Sequence, residues 1–293
     1  MHRFGFRAMG SGCEIVLAGM TKKESKALAA LGMEEVARIE RKYSRYQPES
    51  VVSRINDSAG KAWVKCDKET VALLDYADAV WRSSGGLFDV TSGVLRRAWD
   101  FDKAEVPSQE SLFSLLKLVG WQRVKRRENE VQLSERGMQL DFGGIGKEYA
   151  ADAAAETLRD HGARHGYVNL GGDIRIIGPK PGGEPWTIGI RDPRNPDGTI
   201  ASISVSSGAI ATSGDYERFF EVDGRRYCHI INPATGWPVT FWRSVTVLAP
   251  LATTAGSVTT IAMLLEAEGL SYLKKSGFSY LAIDQTDRIY HNH

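Results

Sequence analysis

The segment Asp141-Phe142-Gly143-Gly144-Ile145-Gly146-Lys147 sets three glycines and a lysine between an apolar run and a helical pattern. At a strand-to-helix junction, glycines let backbone amides approach a ligand, and the N-terminus of the following helix favours phosphate. Lys147 falls in the first helical turn, where its charge opposes the helix dipole. That placement makes most sense if the lysine serves an anion. The spacing matches neither the GxxxxGK[ST] phosphate loop nor the dinucleotide GxGxxG. Taken alone, the segment also reads as a tight turn packed against a sheet.

A second cluster runs Thr212-Ser213-Gly214-Asp215, then Asp223-Gly224, then His229-Ile230-Ile231-Asn232-Pro233. Hydroxyls and amides of its first part suit phosphate oxygens. His229, placed at the end of a hairpin strand, suits a pyrophosphate donor or an acid or base near neutral pH. The plainer reading is a structural histidine with its hydrogen bonds satisfied. Asn169-Leu170-Gly171-Gly172-Asp173 reads as a hairpin turn. Thr259 and Thr260 read as helix hydroxyls bonded to the preceding turn.

Several elements must position these groups. Phe4 to Leu17 alternates and reads as a strand or hairpin, with Gly10 and Gly12 marking close backbone approach. Thr21 to Tyr43 is helical, capped by Thr21 with Glu24 three residues on. Helices are also expected over Glu69 to Ser83, Ser108 to Leu118, Lys147 to His161 and Thr254 to Glu266. Strands are expected over Val124 to Leu140 (short, around polar turns), Tyr167 to Ile177, Trp186 to Arg191, Ile200 to Val205, Ile210 to Thr212 and Ser244 to Ala249. Hairpins are expected over 219–231, across Asp223-Gly224, and over 279–290. The stretches Pro179 to Pro185 and Pro193 to Gly198 read as surface loops. Long helices and hairpins without βαβ alternation argue for an α+β fold in one domain spanning residues 1–293, or in two intimately joined subdomains.

Composition bounds the function. The 293 residues are 42% hydrophobic and 25% charged, enough for a sizeable core without disulfides or structural metals. Lys and Arg number 37 against 36 acids, so no global charge advertises nucleic acid. The three cysteines have no metal spacing and read as thiols in a reducing compartment. No 18-residue apolar run spans a bilayer, and Met1 to Gly10 has no signal-type apolar stretch. A soluble, cytoplasmic protein is expected.

Read in order, the segments resemble the ApbE family of FAD:protein FMN transferases along nearly the whole chain. Phe6-Arg7-Ala8-Met9-Gly10-Ser11 looks like the family's opening motif, and Ser44-Arg45-Tyr46 through Asn56 like the next. Phe88-Asp89-Val90-Thr91-Ser92-Gly93 with Trp99 follows, then Asp141 to Asp152, Asn169 to Gly178, Thr212 to Tyr216 and His229 to Pro238 (HIINPATGWP). The resemblance implies a mixed fold with FAD in a cleft between two sheet-bearing halves. It implies flavin-nucleotide contacts from Met9, Tyr46, Phe88, Asp89, Asp141 and Lys147, and pyrophosphate contacts from Thr212, Ser213, His229 and Ile231. His229 and Lys147 are the residues expected to take part in catalysis. The implied reaction is attack by a threonine or serine hydroxyl of an acceptor protein on the FMN phosphorus with release of AMP, assisted by Mg2+.

The chain departs from this pattern at the metal. The family's ADxxxT site resembles Ala255-Gly256-Ser257-Val258-Thr259-Thr260, so the acid has become Gly256. Thr260 and the backbone carbonyl near Gly144 remain as ligands, and a hard dication without a carboxylate binds weakly. Glu148 stands where the family commonly has glycine and offers a carboxylate of uncertain direction. Two alternatives to efficient transfer follow: an FAD-binding protein with weak or lost transfer, and an FAD pyrophosphatase in which water replaces the hydroxyl.

Overall fold

The computed structural model describes residues 1–195 and 197–292. Its frame is an eight-stranded sheet whose spatial order is His2–Ala8, Ser11–Leu17, Gly166–Leu170, Asp173–Gly178, Ala209–Gly214, Trp242–Ala249, Ser279–Asp284 and Ile289–His291. Every neighbouring pair is antiparallel. The α+β expectation therefore holds, and the two halves of the molecule share one continuous sheet.

The sheet is apolar on both faces, and alternation along a strand shows it. Cys13, Ile15 and Leu17 of the second strand enter the core beneath the helices, while Val16 and Ala18 enter a separate core on the other face. On the helical face, the Lys22–Tyr43 helix packs on the Gly146–Asp160 helix, which lies across the sheet. Close approach is set by small residues. Ala150, Ala151, Ala154 and Ala155 are buried, and a Cβ on Gly32 would come 2.8 Å from Ile15 Cδ1. The Ala252–Leu264 helix is apolar nearly all round and lies beside the Gly146–Asp160 helix, against the Ala209–Gly214 and Trp242–Ala249 strands. On the opposite face the hairpin Trp186–Arg191 with Thr199–Val205 closes the smaller core through Trp186, Ile188 and Val205.

Local chemistry explains most boundaries. Thr21 caps the Lys22–Tyr43 helix in a full capping box with Glu24. Ser108 and Asp67 cap Gln109–Leu116 and Lys68–Ser83. Among the described residues, Val51–Asp57, Gly269–Ser276 and the 3-10 turns Ser92–Arg97, Trp121–Arg123 and Glu266–Glu268 lie outside the expected set. The strands expected up to Leu140 end at Leu133. Beyond them the Asn56 side chain bonds both the N–H and the C=O of Leu140, at 2.7 and 3.0 Å, doing the work of a strand neighbour. The glycine-rich segment therefore follows a side-chain-held loop, not a strand. Among the described residues no helix is long and apolar enough to cross a membrane.

Candidate functional site

Turns and strand ends converge on a cleft of about 1030 Å³. The hairpin turn Met9-Gly10 opens onto it with both residues at positive φ, 50° and 73°. Glycine is the residue that adopts this geometry without strain, and Met9 holds it because its N–H donates to Glu40 Oε1 at 2.8 Å. Beside it runs the turn 142–145, which feeds the Gly146–Asp160 helix. Gly144 is needed here for space: a Cβ would meet Phe88 Cζ at 3.0 Å. No side chain caps this helix; Gly146 N–H donates back to the Phe142 carbonyl at 2.7 Å.

Met9, Tyr46, Phe88, Asp89, Asp141 and Lys147 all line the cleft, as do Thr212, Ser213, His229 and Ile231. Their local chemistry differs. Tyr46 is 75% exposed, with the Arg45 guanidinium 5.7 Å from its ring centre, so its face is open to a planar group. The Asp89 carboxylate is already committed: it accepts from the Thr91 N–H and hydroxyl and from the Trp121 N–H at 2.6 to 2.8 Å. It holds the 88–93 turn in shape and has little left for a ligand. Asp141 accepts from Gly143 N–H and Arg45, with Arg96 at 3.6 Å, and so fixes two arginines at the cleft wall. The Thr212 hydroxyl pairs with Thr246 at 2.9 Å, and the Ser213 hydroxyl with Thr259 at 2.8 Å and Thr260 at 3.3 Å.

Lys147 finds an anion within the protein. Its Nζ lies 2.9 Å from Asp173 Oδ2, and the Asp173 side chain is 4% exposed. Burial works against the ammonium, but Asp173 and Glu148 outweigh it and hold the lysine above its usual range. Asp173 itself ends the Gly171-Gly172 turn, where a Cβ on Gly171 would strike Ser11 at 2.9 Å. Neither Asp173 nor the Arg45–Asp141–Arg96 bridge follows from residue spacing, because the partners meet only after folding. The acid directly after a Gly-Gly turn was the one readable signal.

His229 lies just past the Arg225–Cys228 strand, in the loop running to Pro238 rather than in a strand. Its Nδ1 is buried and without a hydrogen-bond partner. Burial first, then the charges of Arg96 and Lys147, lower its pKa to about 4. The folded chain thus refuses a proton that the unfolded chain accepts near pH 6.5. The stability this represents is whole above pH ~6.5 and is lost as pH falls towards ~4, on the order of 3 kcal/mol. Denaturant titrations across this window should show a shallower acid-side loss for His229→Gln than for the native chain.

The metal positions divide. Gly144 and Thr260 line the cleft with Glu148, but Gly256 does not. It is buried beneath the Glu148 side chain, whose Cγ and Oε1 would both lie 2.6 Å from a Cβ at 256. Among the described residues no three His, Cys, Asp or Glu side chains gather as a metal cage. The donors facing the cleft here are hard oxygens, the type a Mg2+ ion accepts. Glu148 Oε2 is buried without a hydrogen-bond partner, and burial pushes its carboxyl above the usual range, so a cation arriving there would take the place of a proton.

The site is thus a cleft in an antiparallel α+β frame, lined by the turn 142–145, a helix N-terminus without a side-chain cap, and Arg45 and Arg96 held by Asp141. Comparison with known proteins assigns the chain to a family. The ApbE family profile matches residues 9–282. An FAD:protein FMN transferase of Treponema pallidum is 36% identical over 244 residues, spanning 77% of this chain and 67% of the relative. One from Vibrio cholerae is 31% identical, spanning 83% and 75%. The crystal structure of the ApbE protein of Thermotoga maritima superposes with a TM-score of 0.93 at 36% identity, covering 100% of this chain and 97% of that one. Flavin transferase ApbE from Vibrio cholerae gives 0.86 at 27% identity, covering 99% and 97%. The chain belongs to the ApbE family.

Proposed function

We propose that the protein is an FAD:protein FMN transferase that moves FMN from FAD to a threonine or serine hydroxyl of an acceptor protein. What supports this most is that the residues assigned to the nucleotide, drawn from segments scattered between Met9 and Ile231, all line one cleft. The Tyr46 face takes the isoalloxazine. The phosphates lie toward Lys147, the helix N-terminus at 146 and the hydroxyls of Thr212 and Ser213. In the reaction the acceptor oxygen bonds to the FMN phosphorus, the bond from that phosphorus to the bridging oxygen breaks, and AMP leaves.

His229 is neutral at pH 7 and lines the cleft, so its imidazole takes the proton released by the attacking hydroxyl. Anionic phosphates beside it raise its basicity above the value in the empty cleft. Lys147 stabilises charge growing on the phosphate oxygens and is itself held by Asp173. A Mg2+ ion held by the Gly144 carbonyl, Thr260 and a carboxylate would neutralise phosphate charge when bound. The three buried free cysteines suit a reducing compartment, and we place the enzyme and its acceptor in the cytoplasm.

The test is direct. Purified chain incubated with FAD, Mg2+ and a threonine-bearing acceptor peptide is expected to add FMN to the peptide, read by mass spectrometry, and EDTA is expected to suppress the addition. AMP and free FMN appearing without peptide modification would favour the pyrophosphatase reading. A chain that stays colourless after FAD and gel filtration would reject the cleft assignment.

A further inference from the structure

We infer that the carboxylate for the divalent cation has changed helices in this chain: Glu148, on the Gly146–Asp160 helix, supplies it from across the space that Gly256 leaves open. This rests on the transferase reading for the identity of the cation site and goes beyond it in naming the ligand.

The steric evidence is reciprocal. A Cβ on Gly256 would sit 2.6 Å from Glu148 Cγ and from Oε1, and 2.9 Å from Cδ. Real Cβ contacts are never that short, so a side chain at 256 and the present Glu148 conformer exclude each other. The space beside Gly256 is filled by the Glu148 carboxyl, which would have to move aside for a side chain at 256. Glu148 is 7% exposed and lines the cleft alongside Gly144 and Thr260, the other two oxygen donors.

The charge inventory gives a second, independent observation. Three carboxylates lie in this region: Asp152, Asp173 and Glu148. Asp152 pairs with Arg175 at 3.2 Å and accepts from the N–H groups of Ala252 and Thr253. Asp173 takes Lys147 at 2.9 Å. Tyr76, the nearby phenol, is engaged with Ser257 and the Thr253 carbonyl. Glu148 Oε2 alone is left buried with no hydrogen-bond partner. Ionising a carboxyl buried there is costly, and a hard cation at that oxygen offsets the cost by taking the place of the proton. Mg2+ accepts such a site because one or two carboxylates, phosphate oxygens and retained waters complete its shell.

Two consequences separate this assignment from a site that has simply lost its acid. Restoring an acid at 256 alone harms the protein, because it forces two carboxylates into one volume. Moving both residues together repairs it. The experiment uses the full chain in four forms: native, Glu148→Gln, Gly256→Asp, and Glu148→Gly with Gly256→Asp. Each is titrated with Mn2+ alone, following free Mn2+ by electron paramagnetic resonance, and each is melted without metal. Native protein is expected to bind one Mn2+, and Glu148→Gln to bind it at least tenfold more weakly with its melting temperature kept or raised. Gly256→Asp is expected to melt lower than native, and the double variant to regain both melting temperature and Mn2+ binding.

Native-like Mn2+ affinity in Glu148→Gln overturns the assignment. So does a Gly256→Asp chain that binds Mn2+ more tightly at unchanged melting temperature, which would show room for a second carboxylate. Mn2+ binding that follows the expected pattern in a chain that never modifies an acceptor refutes the transferase reading and leaves this one standing. Transfer that persists with the Mn2+ pattern absent does the reverse.

Discussion

Lys147→Ala should lose roughly 3–5 kcal/mol of stability, the cost expected when one partner of a buried ion pair is removed. The lysine is the cation set against Asp173, which is 3% exposed, and it also offsets the field of Glu148. Without it two buried carboxylates face each other across the cleft wall. Burial already pushes both above their usual range with the lysine present. Thermal melting should fall by roughly 5–15 °C for a chain of this size. Pairing Lys147→Met with Asp173→Asn should recover more than half of the loss, because the double change removes the charge that the single change strands. Full additivity of the two single losses would mean that the contact contributes nothing. Ligand binding gives an independent reading. Lys147 keeps 31% of its side chain exposed and lines the cleft. Its loss should weaken FAD more than riboflavin, which has no phosphate.

Trp99→Ala should cost about 3–5 kcal/mol, and its effect on the cleft should exceed what its distance suggests. Trp99 is 2% exposed at the centre of a small aromatic core that includes Phe101, Phe220 and Tyr227. Its ring meets Tyr227 at 5.6 Å and Trp237 at 5.4 Å, and its Nε1–H donates to the Gly236 carbonyl at 2.7 Å. The loop bearing His229 and Ile231 turns back on itself through Asn232 N–H to Trp237 O and Gly236 N–H to Asn232 O. Trp99 is the peg on which that turn hangs. Hydrogen exchange should therefore quicken at Asn232 and Gly236 in Trp99→Ala. Trp99→Phe, which keeps an aromatic ring and loses the donor, should cost only about 1–2 kcal/mol and leave most of that protection.

These cases show where the sequence is legible. The long helix after Thr21 is readable because its cap, its box partner and its apolar stripe are all local. So is the hairpin 219–228, whose turn sits at Asp223 with φ 51° and Gly224 with φ 73°. Val51–Asp57 escapes notice because seven residues carry too little periodicity, although Ser50 caps it. Gly269–Ser276 opens on a glycine, ordinarily a stop signal, whose Cβ would strike the Ala262 carbonyl at 2.2 Å. There glycine is chosen for a close approach, not for a turn. At the site, residue types and their order were readable, but the partners were not. Lys147 in a first helical turn does call for an anion, and the first one it meets is Asp173. Asp89 looks like a ligand contact by its motif, yet its oxygens are spent on Thr91 and Trp121.

The packing of Glu148 over Gly256 has a consequence for the ancestry of the chain. If one position is changed before the other, the intermediate carries either no acid in that space or two. On the Glu148 assignment proposed above, neither intermediate would keep both a cation and an undisturbed core, so the two residues would change as one unit despite lying on different helices. Aligned column by column, such a lineage looks as though it has discarded a ligand. On that same assignment, comparison in three dimensions would show the carboxylate kept and only the helix that delivers it changed.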